Sequence, residues 1–179
     1  LTVHILLATW SIACLGGSPA IDLGFVMLDP GMFGHLVAGL AVVWMINLFN
    51  FMDGIDGMAS SGVLAFSGAS VGFLHILGTS EANELALPIA LLGATCLGFW
   101  CFNWPPARIF LGDAGSAFFG YLFAVFTMLS VSTHTMSLWT WVIIFGYFIG
   151  DTTTTLLLRV LTVEKWYGPH RSHAYQNLA

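Results

Sequence analysis

Six apolar runs, near residues 1–16, 32–51, 57–78, 85–103, 115–132 and 137–160, decide what this chain can fold into. A helix needs about 20 predominantly apolar residues to cross a hydrocarbon core of about 30 Å, and these runs are of that order. In lipid every backbone N–H and C=O must find its partner within the protein, which leaves only helices and closed barrels. Runs of this length without period-two alternation predict helices. The expected fold is all-α, a polytopic transmembrane helix bundle with about six spans. Composition agrees, because 58% of the 179 residues are apolar and only 7% are charged, whereas about a quarter are charged in a soluble domain. Small residues inside the runs, such as Gly62, Ala65, Gly68 and Gly72 or Gly115 and Gly120, predict close helix approaches.

The connections alternate in character. Segments 17–31, 78–84 and 132–137 hold Asp22, Asp29, Glu81 and Glu84 and no Lys or Arg. All four basic residues, Arg108, Arg159, Lys165 and Arg171, fall on the other side, in or beside 104–114 and 161–179. The positive-inside rule makes that side cytoplasmic. A net charge of −5 with so few cations excludes a nucleic-acid partner, which needs a basic surface. The cysteines, Cys14, Cys96 and Cys101, lie in apolar runs without CxxC spacing and read as buried thiols. With no internal repeat or linker, residues 1–179 read as one membrane domain. The apolar start at Leu1, without a basic leader, suggests a piece of a longer chain.

Asn47, Asn50, Asp53 and Asp56 recur at every third position where the second run gives way to the third. Each buried polar group without a partner costs about 1–3 kcal/mol, and an ion costs more. Three residues turn an α-helix by about 300°, so successive members drift by about 60° and cannot share one face of a straight helix. Gly54 and Gly57 allow the chain to leave helical geometry and turn the aspartates back. A plain polar loop would not require two carboxylates at the mouth of a bilayer, where acids mark function.

Two further segments emerge on the same side. Gly112-Asp113-Ala114-Gly115-Ser116 places a carboxylate immediately before a span, where a helix N-terminus favours anions; a simple N-cap is the structural alternative. Asp53, Asp56 and Asp113 with the amides of Asn47 and Asn50 form an all-oxygen set suited to Mg²⁺ or Mn²⁺ and poor for zinc. The tail carries Lys165, His170, Arg171 and His173, cations fit for a phosphate or pyrophosphate. Trp166 and Tyr167 read as interfacial anchors, and His4, His35, His75 and His134 as structural. Asp151 interrupts the last span and calls for a partner, while Arg159 can snorkel. Oxygen ligands facing cations at a membrane surface point to Mg²⁺-dependent phosphotransfer or phosphohydrolysis.

In order and topology, Asn47-Leu48-Phe49-Asn50-Phe51-Met52-Asp53-Gly54-Ile55-Asp56-Gly57, then Phe110-Leu111-Gly112-Asp113-Ala114-Gly115-Ser116, then His170-Arg171-Ser172-His173-Ala174-Tyr175-Gln176 resemble the polyprenyl-phosphate N-acetylhexosamine-1-phosphate transferases, glycosyltransferase family 4. The resemblance covers about residues 32–176, and the tail is similar to the O-antigen-initiating branch. It implies transfer of a HexNAc-1-phosphate from a UDP-N-acetylhexosamine to undecaprenyl phosphate at the cytoplasmic face of a bacterial inner membrane, releasing UMP. By motif, it implies Asn50 and Asp113 beside Mg²⁺ and Asp53 and Asp56 at the nucleotide and diphosphate. His170, Arg171 and His173 would lie on a loop closing over the donor, and Asn47 would join the substrate-binding set. The resemblance thus makes Asp53, Asp56, Asp113 and His173 the expected catalytic residues, membrane lipid a partner, and homodimerisation an open expectation. The family's further Asp-Asp motif in an earlier cytoplasmic loop does not occur here, and family members carry additional spans. The segment alone is therefore expected to be inactive. Competing readings are a transporter or channel with an acidic ion path, which would spread its acids through the membrane depth, an intramembrane aspartyl protease, for which Phe110 replaces a required glycine, and a non-catalytic scaffold.

Overall fold

The computed structural model describes residues 1–22, 26–28 and 31–161. Seven helices make up the described bundle: α1 (Thr2–Cys14), α2 (Gly31–Met52), α3 (Met58–Leu77), α4 (Ser80–Asn103), α5 (Gly112–Ser132), α6 (Leu138–Ile144) and α7 (Gly146–Leu161). Between α1 and α2, β1 (Ile21–Asp22) pairs antiparallel with β2 (Met27–Leu28), a minimal hairpin where only a loop was expected. The all-α membrane bundle is as expected.

Span number and boundaries differ from the sequence reading. Among the described residues four helices, α2 to α5, are long and apolar enough to cross a membrane. The first run yields a helix of 13 residues. The last run, 137–160, breaks at Phe145 into α6 and α7, since period and hydropathy do not register a break between two helices that are each apolar. The fourth begins at Ser80 because Thr79 caps it, its hydroxyl accepting the Ala82 N–H at 3.2 Å. The fifth starts three residues earlier than the hydropathy suggests, at Gly112, so Asp113 lies in the first turn and is not the N-cap.

α2 packs chiefly on α5 and α3 on α4. Val42, Met45, Ile46, Phe49 and Met52 form the buried stripe of α2 at helical spacing. Phe49 stacks on Phe123 with centroids 5.6 Å apart, and Phe66 meets Phe145 and Phe148 edge-on at 4.7 and 4.9 Å. Lipid tails are as apolar as these rings, so burial from lipid adds little and close packing holds the helices together. Gly120 shows how close that packing is: a Cβ there would stand 2.7 Å from the Ile46 Cα and the Met45 carbonyl oxygen. Gly93 of α4 meets Ser67 of α3 in the same way, at 2.9 Å from its Cβ, and Gly62 lies against the Phe148 ring.

Side-chain hydrogen bonds add specific joints: Ser11 with Tyr121 at 2.8 Å, Trp100 Nε1 to Ser61 Oγ at 2.8 Å, and Trp141 Nε1 to Ser130 Oγ at 2.6 Å. Such bonds contribute roughly 0.6–2 kcal/mol each in membranes. Of the cysteines only Cys96 is buried; Cys14 and Cys101 are free and exposed on the bundle surface, because an apolar run that faces lipid on one side puts part of its length outside the protein core. The antiparallel order brings the end of α2, the start of α3, the end of α4 and the start of α5 to one end of the bundle.

Candidate functional site

That end holds the polar residues of the Asn/Asp stretch. α2 stops at Met52, and Gly57 takes a left-handed φ of 77° as α3 begins, the conformation an L-residue with a side chain avoids. The chain thus breaks within the Asn/Asp stretch, with the two asparagines on α2 and the two aspartates in the connection.

Asn50 lies one turn beyond Ile46 on α2, and Ser116 one turn before Gly120 on α5. The backbone approach at Gly120 therefore sets the distance between them. The Asn50 amide Nδ2 donates to Asp113 Oδ1 and to Ser116 Oγ, both at 3.2 Å. Ser116 is fully buried and directs its own proton to the Gly112 carbonyl at 3.1 Å or that of Asp113 at 3.3 Å. Its remaining capacity is to accept, which turns the Asn50 NH₂ toward it. Asp53 is close enough to Asp113 for the two to repel. Burial, first, and the Asp113 charge, second, push the Asp53 carboxyl up from 3.8 to about 6, while the Gly112 N–H pulls it down.

Asp56 and Asn47 have their hydrogen-bond partners outside this cluster. Asp56 Oδ2 accepts the Ala107 N–H at 2.9 Å, which ties this aspartate to the α4–α5 connection. An unpaired backbone donor in that loop is the competing demand that sequence spacing does not display. Asn47 donates to the Val43 carbonyl of its own helix at 2.7 Å. His170, Arg171 and His173, with the rest of the basic tail, lie outside the described residues.

Asn103, which opens the polar loop 103–116, has a role that the sequence alone does not assign. It ends α4, is 3% exposed, and joins two connections. Its Oδ1 accepts the Gly57 N–H at 3.2 Å and the Ser60 hydroxyl at 2.6 Å, and its Nδ2 donates to the Ile109 carbonyl at 3.0 Å. A carboxamide closing a long apolar run just before a Pro-Pro turn was the available signal, since such a group needs a partner. Ser116 stood inside a recognised motif but carried no role of its own.

Among the described residues no group of three or more His, Cys, Asp and Glu side chains is gathered closely enough to hold a metal unaided. Mg²⁺ commonly takes only one or two carboxylates, with water and substrate phosphates completing its shell. Asp113, the neighbouring Asp53 and the Asn50 amide fit that demand: the two carboxylates repel each other in the absence of a cation, and the Asn50 NH₂ places positive partial charge against Asp113.

Comparison with known proteins bears on the family. The sequence profile described as glycosyl transferase family 4 matches residues 1–131. The chain is 33% identical over 150 residues to the Bacillus subtilis (strain 168) protein named "Probable undecaprenyl-phosphate N-acetylglucosaminyl 1-phosphate transferase", covering 81% of this chain and 41% of that one. It is 30% identical over 168 residues to the phospho-N-acetylmuramoyl-pentapeptide-transferase of Bifidobacterium adolescentis, covering 79% and 45%. Against the protein of the same name from Chlamydia muridarum it is 36% identical over 101 residues, covering 55% and 29%. The chain thus spans less than half the length of these relatives. With the profile matched over most of its length and the Asn50, Asp53 and Asp113 side chains gathered at one end of the bundle, the chain belongs to glycosyl transferase family 4.

Proposed function

We propose that the protein transfers a HexNAc-1-phosphate from a UDP-N-acetylhexosamine to undecaprenyl phosphate at the cytoplasmic face of the bacterial inner membrane, releasing UMP and starting a lipid-linked glycan such as an O-antigen. The observation that carries this reading is the Asn50–Asp113–Asp53 cluster between the end of α2 and the start of α5, at the end of an apolar bundle. An acceptor that stays in the membrane and a donor that stays in water can meet only at such an end. A lipid phosphate oxygen forms a bond to the sugar-linked phosphorus, the bond from that phosphorus to the bridging diphosphate oxygen breaks, and UMP leaves.

Asp113 and Asn50 are the residues that would hold Mg²⁺ or Mn²⁺, which when bound would offset the charge of the diphosphate. A turn of the Asn50 amide would present Oδ1 where Nδ2 now meets Asp113. Asp53, pushed up to about 6, can exchange a proton near the range in which a phosphate monoester takes its second ionisation, about 6. Asp56 holds the α4–α5 connection through Ala107 and stands ready for the nucleotide side of the donor.

The test is transfer of radiolabel from UDP-GlcNAc and related UDP-sugars to undecaprenyl phosphate by the full-length protein, with and without Mg²⁺. We expect transfer that requires the metal and release of UMP that requires the lipid, the latter being something a transporter would not show. Asp113→Asn should reduce the rate by at least about 100-fold, the scale on which one preorganised charge contact acts. Full activity in both Asp113→Asn and Asp53→Asn would overturn the site.

A further inference from the structure

We infer that Asn103 is a positioning residue which couples the α2–α3 connection, residues 53–57, to the α4–α5 connection, residues 104–111, so that the two loops bearing the site move as one body. The inference rests on the transferase reading for its kinetic consequence, though not for its structural one. Three independent contacts join the loops. The Asn103 carboxamide spends both Oδ1 acceptor positions on the α3 side, on the Gly57 N–H and the Ser60 hydroxyl, and one Nδ2 hydrogen on Ile109 O within the other loop. Asp56 reaches across to the Ala107 N–H at 2.9 Å. A Cβ on Gly57 would stand 3.3 Å from Pro105 Cδ, so the loops also touch by packing.

Asn103 is the centre of this arrangement. It is buried, whereas Asp56 is only partly so, and its two functions face opposite loops. The α4–α5 connection is otherwise closed onto α4 by its own backbone, Arg108 N–H to Phe102 O at 2.8 Å and Ile109 N–H to the same oxygen at 3.3 Å. Moving that loop therefore moves the end of α4 and, through Asn103, the start of α3. Asp53 directly follows α2, and Asp113 comes two residues after the α4–α5 connection. The separation of these two carboxylates depends on the loops keeping a common frame. Misplacement by about 1 Å far from the chemistry can cost on the order of 100-fold in rate.

The discriminating readout is amide hydrogen exchange at Ala107. The hydrogen bonds of the Asn103 side chain go to Gly57, Ser60 and Ile109 and not to Ala107 or Asp56, so a purely local role would expose Gly57 and leave Ala107 protected. In the full-length protein in detergent or nanodiscs, Asn103→Leu, close in volume but without either hydrogen-bonding function, should speed exchange at both Gly57 and Ala107 by 10-fold or more. The same variant should lower kcat/KM for the UDP-sugar by at least 10-fold with the KM for undecaprenyl phosphate unchanged. Asn103→Asp keeps the acceptor and loses the donor; it should restore protection at Gly57 while the Ile109 side stays loosened. If Asn103→Leu does not fold, Ser60→Ala, which removes the 2.6 Å bond to Asn103 together with the hydroxyl's 3.2 Å contact to the Gly57 carbonyl, should shift both exchange rates in the same direction by a smaller factor. Unchanged Ala107 exchange in whichever of these variants folds would overturn the inference. Coupled exchange in a protein that shows no transfer even unmodified would instead overturn the transferase reading and leave the coupling standing.

Discussion

Replacing Gly120 with alanine tests how far the site depends on one backbone crossing. The new Cβ would lie 2.7 Å from Ile46 Cα and from the Met45 carbonyl oxygen, both main-chain atoms that cannot rotate away. Ordinary contact begins near 3.4 Å, so α2 and α5 must separate by about 0.7 Å at this level. One turn along, the two bonds from Asn50 to Asp113 and Ser116 now measure 3.2 Å. The same separation would stretch them to about 3.9 Å, beyond hydrogen-bond reach. Overpacking costs about 1–3 kcal/mol, and the helix preference of Ala over Gly returns up to about 1 kcal/mol, so the protein should still fold with a modestly lowered Tm. Activity should fall much further, by on the order of 100-fold, because the reacting groups are displaced.

Gly68→Ala is the internal control, since a Cβ at that position meets nothing within 4 Å; it should leave both Tm and rate near those of the unmodified protein. The assays are thermal unfolding in detergent and lipid-dependent UMP release, run on both variants side by side. A Gly120→Ala protein with unaltered rate would show that the α2–α5 approach does not set the Asn50–Asp113 geometry. Equal losses in both variants would show that any added methyl group is harmful, with the same consequence.

Asp53 should titrate near pH 6 in the metal-free protein, followed by carboxyl infrared difference spectra. In the folded state it binds its proton more tightly than in the unfolded chain, so its stabilising contribution is present in full below pH 3.8 and is lost as pH rises through about 6. Asp113→Asn should bring the midpoint down without reaching the ordinary value, because burial, the larger cause, remains; an unmoved midpoint would mean that the two carboxylates do not interact. At the opposite end of the bundle, Trp141→Phe removes the 2.6 Å bond to the buried Ser130 hydroxyl and should cost about 1–2 kcal/mol by thermal unfolding, with transfer rate intact below the transition. A loss of rate at a temperature where that variant is folded would show coupling along the length of α5.

Helical class and the end of the bundle that gathers the polar residues could be read from the chain directly. Long apolar runs in lipid have one local solution, hydrogen bonding within each helix, and alternation of connections then assigns Asn50, Asp53, Asp56 and Asp113 to one end. The break between the asparagines and aspartates also follows locally, from a drift of about 60° per step and a glycine able to take a positive φ. Partner choice was not legible, because it depends on which unsatisfied group stands opposite once helices pack. Asp56 goes to the Ala107 N–H, Asn47 to its own helix and Asn103 to two loops, each meeting a donor or acceptor that sequence spacing cannot show. Nor could hydropathy reveal the break at Phe145, since both sides of it are apolar. Tertiary structure decided one further thing, the approach of α2 and α5 at Gly120, because only close backbone contact brings Asn50, Ser116 and Asp113 within hydrogen-bonding distance.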